Sequence, residues 1–189
     1  MSSLFSSRDR SSPSTTHSGA ANGARAEVCT FCKMVEGVQT AWKVFEDEHT
    51  VAFLDILPIR SGHLLVAPKQ HYERITDLPD DLAAHLGRVL PRLTRALGRA
   101  TSQPAFSLVS NNGYLQVVPH VHYHLIPAPF PTSTTSTAIN SPKPSSPPLL
   151  PFSTRTELDG DVGRTLADRI REELVKEEEK RPSSSRAKL

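Results

Sequence analysis

Short runs of apolar residues between positions 41 and 126 predict five β-strands. The runs are rich in Val, Ile, Phe and Leu and are separated by Gly, Pro, Asn or Asp, which is typical of strands joined by turns. The predicted strands are Ala41–Glu46, Thr50–Ile56, His63–Ala67, Phe106–Ser110 and His120–Ile126. The short connections favour antiparallel pairing between neighbours.

Two other segments have apolar residues three or four positions apart, the spacing of an amphipathic helix. The first helix is expected to be capped at its start by Asp80 or Asp81 and to be kinked by Pro91. Its predicted apolar stripe consists of Leu82, Leu86, Val89, Leu90, Leu93 and Leu97. The second helix covers residues 159–180, and a short helix or turn covers residues 29–37. One long helix among short strands predicts an α+β fold with an antiparallel sheet.

Low apolar content separates two tails and a linker from the folded part of the chain. Residues 1–26 are rich in Ser, Thr, Gly and Ala, and residues 131–153 are rich in Pro, Ser and Thr. Both compositions predict disorder or an inserted loop. The main domain therefore covers residues 27–130, the C-terminal helix covers residues 154–180, and residues 181–189 form a second tail.

Charge and cysteine content narrow the function classes. A net charge of +2 over 189 residues gives no strong field for nucleic acid. No stretch has the length and apolar content of a membrane span, so neither nucleic acid nor a membrane is expected as a partner. The two cysteines, Cys29 and Cys32, have a spacing that favours metal or redox chemistry in a reducing compartment over a disulfide framework.

Three histidines occupy every second position of the last predicted strand: His120, His122 and His124. Because strand side chains alternate between faces, all three imidazoles are expected on one face. Such a row suits the handling of one phosphate or a metal ion, and the alternative is a chance cluster on a solvated face. His63, just before another strand, is a candidate fourth partner or a loop histidine without a role.

Cys29 and Cys32 supply half of a zinc site, and His71 and His120 are the best candidates for the other half. The alternatives are a redox pair or two buried thiols. Asp55, at the end of a predicted strand, has two interpretations as well. Its carboxylate could bind a ribose diol, or it could cap the turn before Pro58.

These residues resemble the histidine-triad (HIT) nucleotide-binding proteins. The pattern HVHYHLI and the block CTFCKMVEG…VFEDEHTVAFLDILPIRSGHLLVAPKQHYERI carry the resemblance, which covers residues 28–128. The chain is most similar to the branch of nucleoside phosphoramidate hydrolases, in a fungal-like form with an inserted loop. The resemblance implies a five-stranded antiparallel sheet with a long helix, and a homodimer formed through the helix and the edge strand.

The resemblance also implies hydrolysis of a purine nucleotide conjugate. In this chain His122 would attack the α-phosphorus, and a nucleotidyl-histidine intermediate would then be hydrolysed without any metal in the chemistry. His124 and His63 would contact the phosphate, and His120 would order the site. A structural zinc would be held by Cys29, Cys32, His71 and His120, so the two roles of His120 compete.

The nucleotide-binding residues implied by the resemblance are Phe53, Leu54, Asp55, Ile56, Asn111 and Gln116. Asp55 would hold the ribose hydroxyls, the apolar residues would surround the base, and Asn111 and Gln116 would lie by the phosphate. The chain departs from the family between Gly113 and Gln116, where it has only Tyr114 and Leu115. A loop shortened by two residues is expected to displace the groups that hold the phosphate.

Three other functions remain open at this point. The first is hydrolysis of dinucleoside polyphosphates, and the second is nucleotide binding with weak or no turnover because of the short loop. The third is a hydrolase whose catalytic zinc is bound by the three histidines. The protein is expected in the cytoplasm or nucleus, with the peroxisome as the alternative because Ala187, Lys188 and Leu189 resemble a peroxisomal signal.

Overall fold

Five strands form one antiparallel sheet in a computed structural model of the protein, which describes residues 27–128 and 155–180. In chain order they are β1 (Lys43–Glu46), β2 (Thr50–Leu54), β3 (Leu64–Pro68), β4 (Phe106–Val109) and β5 (Tyr123–Pro127). Their order across the sheet is β1-β2-β3-β5-β4. Within the described residues, β1 and β4 are therefore the two edge strands, and the predicted five-stranded antiparallel sheet is confirmed.

Strands β2 and β3 are buried on both faces, because other parts of the chain cover each side of the sheet. Alternate side chains of a strand point to opposite faces. Ala52 and Leu54 accordingly lie in the core beneath the long helix. Val51 and Phe53 lie on the other face, in a smaller cluster with Phe31.

Three helices accompany the sheet in the described part of the chain: α1 (Thr30–Val35), α2 (Asp80–Thr101) and α3 (Gly160–Glu179). A single 3₁₀ turn, Ile75–Asp77, precedes α2. The side chain of Asp159 caps α3 by accepting hydrogen bonds from two backbone N–H groups of its first turn. All three helices were predicted, and the bounds of α3 differ by only one residue at each end.

The long helix α2 differs from its prediction in two details. Its N-cap position is Pro79, and Asp80 and Asp81 lie in the first turn, where their charges favour the positive end of the helix dipole. Pro91 lies inside α2, which continues as one helix to Thr101, so the predicted kink does not divide it.

Helix α3 packs against both α2 and β1. Two features hold it there. Arginines of α2 form ion pairs with glutamates of α3, namely Arg92–Glu178, Arg95–Glu177, Arg99–Glu173 and Arg99–Glu177. Gly163 of α3 lies directly against the indole of Trp42, where a Cβ atom would be 2.8 Å from the ring.

The last predicted strand begins three residues later than expected. β5 starts at Tyr123, so His120 and His122 precede it and only His124 belongs to the ladder. The preceding residues are held by the loop after β3 instead, since the Val121 N–H donates to the Tyr72 carbonyl at 2.7 Å. The prediction of a strand from His120 was therefore wrong, because a tertiary hydrogen bond replaces the ladder there.

The predicted disordered tails, residues 1–26 and 181–189, and the whole of the predicted insertion at residues 131–153 lie outside the described residues, and so does the C-terminus that resembles a peroxisomal signal. No helix among the described residues has the length and apolar content needed to cross a membrane.

Candidate active site and metal centre

Three imidazoles form a continuous row at the sheet. His63 lies just before β3, and His124 lies opposite Leu65 in the β3–β5 ladder. The ring centroids of His63 and His124 are 5.1 Å apart, and those of His124 and His122 are 4.7 Å apart. His63 and His122 are buried, and His124 is partly buried. The structure therefore brings the predicted fourth partner, His63, into the row.

His120 is separated from this row by a phenyl ring. The ring of Phe31 lies edge-on between His122 and His120, at centroid distances of 5.1 Å and 5.8 Å. Phe31 comes from α1 and also packs on Phe53 at 5.2 Å. The alternating positions share one side of the sheet, but they supply two separate sites.

A hydrogen-bonded chain runs from a carboxylate through two imidazoles. Asp55 Oδ2 lies 3.0 Å from His63 Nδ1, and His63 Nε2 lies 2.9 Å from His124 Nδ1. The Ile59 N–H also lies 3.2 Å from His63 Nδ1. A protonated Nδ1 donates to the carboxylate, which is the stronger contact because it is charge-assisted. His124 then donates from Nδ1 and keeps the lone pair of its Nε2.

His122 has its orientation fixed by the backbone. Its Nδ1 lies 2.6 Å from the carbonyl oxygen of His120, so Nδ1–H donates to that oxygen. The lone pair therefore remains on Nε2. Burial lowers the pKa of His122 below its usual value, which keeps the imidazole neutral and nucleophilic near neutral pH.

The surroundings of this hydrogen-bonded chain keep the Asp55 carboxylate charged and the His124 imidazole neutral near pH 7. Burial lowers the pKa of His124 to about 4, with contributions from His122, His63 and Arg155, and Asp55 opposes the shift. Burial acts to raise the pKa of Asp55, but the hydrogen bond and charge of His63 outweigh it and leave that pKa below its usual value.

The four residues implied to bind the nucleoside lie in different surroundings. Asp55 uses Oδ1 to accept from the Leu57 N–H at 2.9 Å, the predicted turn-capping bond, while Oδ2 faces His63. Phe53 is buried on the histidine side of the sheet, and Ile56 is exposed beside it. Leu54 points to the opposite face, into the core beneath α2. Its side chain is therefore not on the histidine side.

The shortened loop is closed by the side chain of Gln116. Its Oε1 accepts from the Gly113 N–H at 2.8 Å, and its Nε2 donates to the carbonyls of Glu73 at 2.8 Å and His120 at 3.3 Å. Gly113 and Leu115 both have positive φ, at 73° and 57°, as a tight turn requires. The amide of Gln116 thus braces the loop, and Asn111 is partly buried at its start.

The four predicted metal donors converge on one point. Cys29, Cys32, His71 and His120 are all buried, and their ligand atoms lie within 4.8 Å of one another. His120 Nδ1 lies 3.4 Å from Cys29 Sγ and 3.6 Å from Cys32 Sγ, and His71 Nδ1 lies 3.4 Å from Cys32 Sγ. A tetrahedral zinc with bonds of about 2.3 Å to sulfur and about 2.0 Å to nitrogen sets S···N at about 3.5 Å. The residues fit that ion.

Two further observations agree with a cation among these donors. The pKa of Cys32 is raised to about 12 by burial and by the neighbouring Cys29, so the bare Cys32 thiol would stay protonated. A metal ion is the group that offsets this cost. His120 Nε2–H donates to the Pro68 carbonyl at 2.9 Å, which directs Nδ1 toward the sulfur atoms. The ring of His120 therefore lies with the cysteines, and its carbonyl oxygen bonds His122.

Two neighbours of the triad were missed by sequence reasoning. Phe31 sits inside the CxxC motif, where its aromatic ring at a helix position was the only signal. Arg155 follows the Pro-rich segment, and nothing in the local pattern links it to a histidine far earlier in the chain.

A second feature is a cavity whose lining contains none of His63, His122 and His124. Its volume is about 570 Å³, and it is bordered by α2 and the β1–β2 turn. His85 on α2 bonds Asp47 at 2.9 Å within it. Asp47 also accepts from the His49 and Thr50 N–H groups. These contacts stabilise the hairpin turn, so the cavity is separate from the imidazole row.

Residues 36–130 match the family model of the HIT domain. The chain belongs to the HIT family. It is 42% identical over 102 residues to an uncharacterized HIT-like protein of Methanocaldococcus jannaschii, covering 53% of this chain and 78% of that one. It is 37% identical over 105 residues to the adenosine 5′-monophosphoramidase of Candida albicans, covering 52% and 69%. These matches fit the phosphoramidase branch of the HIT family.

A solved HIT structure extends the similarity beyond the domain. A zinc-bound histidine triad family protein from Mycobacterium smegmatis superposes with a TM-score of 0.65 at 26% identity and covers 82% of this chain and 99% of that one. The α+β HIT fold is thus shown by structure as well as by sequence.

Proposed function

We propose that this HIT protein is a purine nucleoside phosphoramidate hydrolase that acts through a nucleotidyl intermediate on His122. The observation that carries the proposal is the 2.6 Å bond from His122 Nδ1 to the His120 carbonyl, which leaves a neutral imidazole with its lone pair on Nε2. The phosphoramidase named among the relatives supports a hydrolase of nucleotide conjugates.

The first step forms a phosphorus–nitrogen bond to the enzyme and breaks one in the substrate. His122 Nε2 donates its lone pair to the α-phosphorus, and the bond to the leaving amine breaks with its electron pair on the amine nitrogen. That nitrogen takes one proton from Nε2 of His124, which has become an imidazolium by taking up a proton as the phosphate binds. The bound phosphate raises the proton affinity of His124, and the Asp55 carboxylate stabilises the imidazolium through His63.

The second step restores the enzyme. Water attacks the same phosphorus, its proton passes to His124, and the bond from phosphorus to His122 Nε2 breaks with its electron pair on that nitrogen. The products are the nucleoside monophosphate and the amine. The second proton transfer replaces the proton that His124 gave in the first step, so atoms and charges balance.

The test is AMP release from adenosine 5′-phosphoramidate by the wild type and by His122→Ala. The variant is expected to lose turnover by at least a thousandfold while its AMP affinity stays within about tenfold, because only the attacking group is removed. Mass spectrometry of wild type quenched in base should show a nucleotidyl adduct on His122. His49→Ala, an exposed histidine beside the remote cavity, is the matched control and should retain full activity.

Substantial turnover by the His122→Ala variant would rule out the covalent mechanism. The same assay with a dinucleoside polyphosphate separates the sister activity, which would appear as faster release of AMP from that substrate.

The second candidate is nucleotide binding with weak turnover, and the short loop favours it. Three hydrogen bonds join the Gln116 amide to the backbone of the loop and its surroundings. A side chain used as a brace is less available to a phosphate. AMP binding by wild type with no release from any substrate in the panel would select this candidate.

We also propose a structural zinc in each chain, held by Cys29, Cys32, His71 and His120, and a homodimer formed through α2 and the β4 edge. The zinc would join α1 to the segment before β5 and takes no part in the chemistry. The dimer is supported by β4, whose Leu108 and Val109 are exposed at the edge of the sheet.

A further inference from the structure

The segment before α3 returns to the imidazole row. The Leu158 N–H donates to the Ile56 carbonyl at 2.8 Å, and Ile56 directly follows Asp55. On its other side, the segment is fixed by Asp159, which caps α3. Residues 155–159 are therefore held against the end of β2, next to Asp55.

This path brings Arg155 close to the imidazole row of His63, His124 and His122. Three residues span at most about 10 Å, so Arg155 lies close to the anchor at Leu158. Its side chain is partly buried, and its Nε is shielded from solvent. The charges of Asp55 and Arg155 both act on the His124 imidazole, Asp55 raising its pKa and Arg155 lowering it. The guanidinium thus lies within electrostatic range of the ring.

The charge of the site shows why a cation there would matter. Asp55 is an anion, and the His124 imidazole is neutral near pH 7. Such a site disfavours an anionic phosphate unless a positive charge accompanies it. A guanidinium presents a planar fork of donors that matches two phosphate oxygens.

We propose that Arg155 binds a non-reacting phosphate oxygen of the nucleotide, so that a residue outside the matched HIT domain completes its phosphate site. The inference rests on the proposed function for the identity of the ligand. Arg155 contacts the substrate phosphate and stabilises the charge that develops as His122 attacks. It also offsets the loss of phosphate contacts in the short loop closed by Gln116.

The experiment compares AMP and adenosine binding by calorimetry in wild type, Arg155→Ala and Arg155→Lys. Arg155→Ala should weaken AMP binding by about tenfold or more and leave adenosine binding unchanged, because only AMP carries the phosphate. Arg155→Lys should restore part of the affinity. Arg169→Ala, an exposed arginine on α3, is the matched control and should bind AMP like wild type.

A second readout follows the His124 ring by NMR. Removal of the positive charge of Arg155 should move the titration midpoint of His124 to higher pH, which a purely structural role would not require. Unchanged AMP affinity in Arg155→Ala, or an equal loss of adenosine and AMP binding, would overturn the inference. If no variant hydrolyses adenosine 5′-phosphoramidate but Arg155→Ala still loses AMP affinity, the proposed function fails and this inference stands.

Discussion

Hydrogen bonds at Nδ1 give the neighbouring imidazoles of His122 and His124 different parts in the site. His122 donates to a backbone carbonyl and is held as a neutral nucleophile. His124 donates to His63, which is bonded in turn to Asp55. The Asp55 carboxylate therefore stabilises a proton on His124 through His63. In the proposed mechanism, a single residue type thus serves as nucleophile and as proton carrier because its hydrogen-bond partners differ.

The low pKa of His124 predicts a loss of stability in mild acid. Its folded pKa of about 4 lies below the unfolded value of 6.5, so the unfolded state binds the proton more readily. The stability is fully present above pH 6.5 and falls as the pH drops from 6.5 toward 4. Urea unfolding at several pH values should show a smaller loss for His124→Gln than for wild type. Parallel losses in the two proteins would contradict the assignment.

The sequence could predict which residues meet at the site, but not how each ring is bonded. Period-two spacing placed the histidines on one side, and the donor types of Cys29, Cys32, His71 and His120 indicated their cluster. The Nδ1 of His122 bonds the His120 carbonyl, where the chain has not yet joined the ladder that begins at Tyr123, and the Nδ1 of His124 bonds His63 from a distant part of the chain. No local pattern encodes that contact.

At the scale of elements, the bounds of α3 were predictable from the sequence, whereas its contact with Trp42 was not. The Asp159 cap and the apolar spacing of α3 are local signals. The close fit of Gly163 on Trp42 joins opposite ends of the chain, and a glycine in a helix gives no indication of what lies against it.

That contact predicts opposite effects for two glycine substitutions. In Gly163→Ala, the new Cβ meets the rigid indole of Trp42 at 2.8 Å, and overpacking costs about 1–3 kcal/mol of unfolding free energy. Gly87→Ala, in an exposed and open position of α2, should gain about 1 kcal/mol from helix propensity. Chemical denaturation of both variants measures the difference. Equal effects would show that α3 does not rest on Trp42.

The proposed zinc would join α1 to the segment before β5, so its loss should lower the stability of the fold more than it lowers turnover. Elemental analysis of protein purified without chelator should find one zinc per chain. Chelation should lower the melting temperature, and the Cys32→Ser variant should show no further decrease on chelation. Metal-free protein with an unchanged melting temperature would contradict the site.

At the scale of the whole molecule, one edge strand of the sheet is covered and the other is exposed. Arg171 of α3 donates to the Lys43 carbonyl at 2.5 Å, and α3 packs along β1. The opposite edge strand, β4, presents an exposed Leu108 and Val109. Exposed apolar edges are typical pairing surfaces.

The proposed homodimer therefore predicts that Leu108→Arg shifts the protein toward monomer in light scattering at micromolar concentration. Two guanidinium groups would meet across the paired edges, where like charges repel. Val175→Arg, which changes an exposed valine on α3, is the control and should leave the mass unchanged. A monomeric mass for the wild type would refute the dimer.

The unequal edges also set a limit on growth. A sheet that is open on both sides can add copies in series and form a fibre, but here Arg171 and α3 occupy one side. When two chains pair through β4 about a twofold axis, each chain uses its exposed edge strand, and its other edge strand, β1, is covered by α3. In such a dimer, the two outer edges of the joined sheet are the β1 strands, and α3 covers each of them. The helix that follows the HIT domain would therefore limit assembly to two chains.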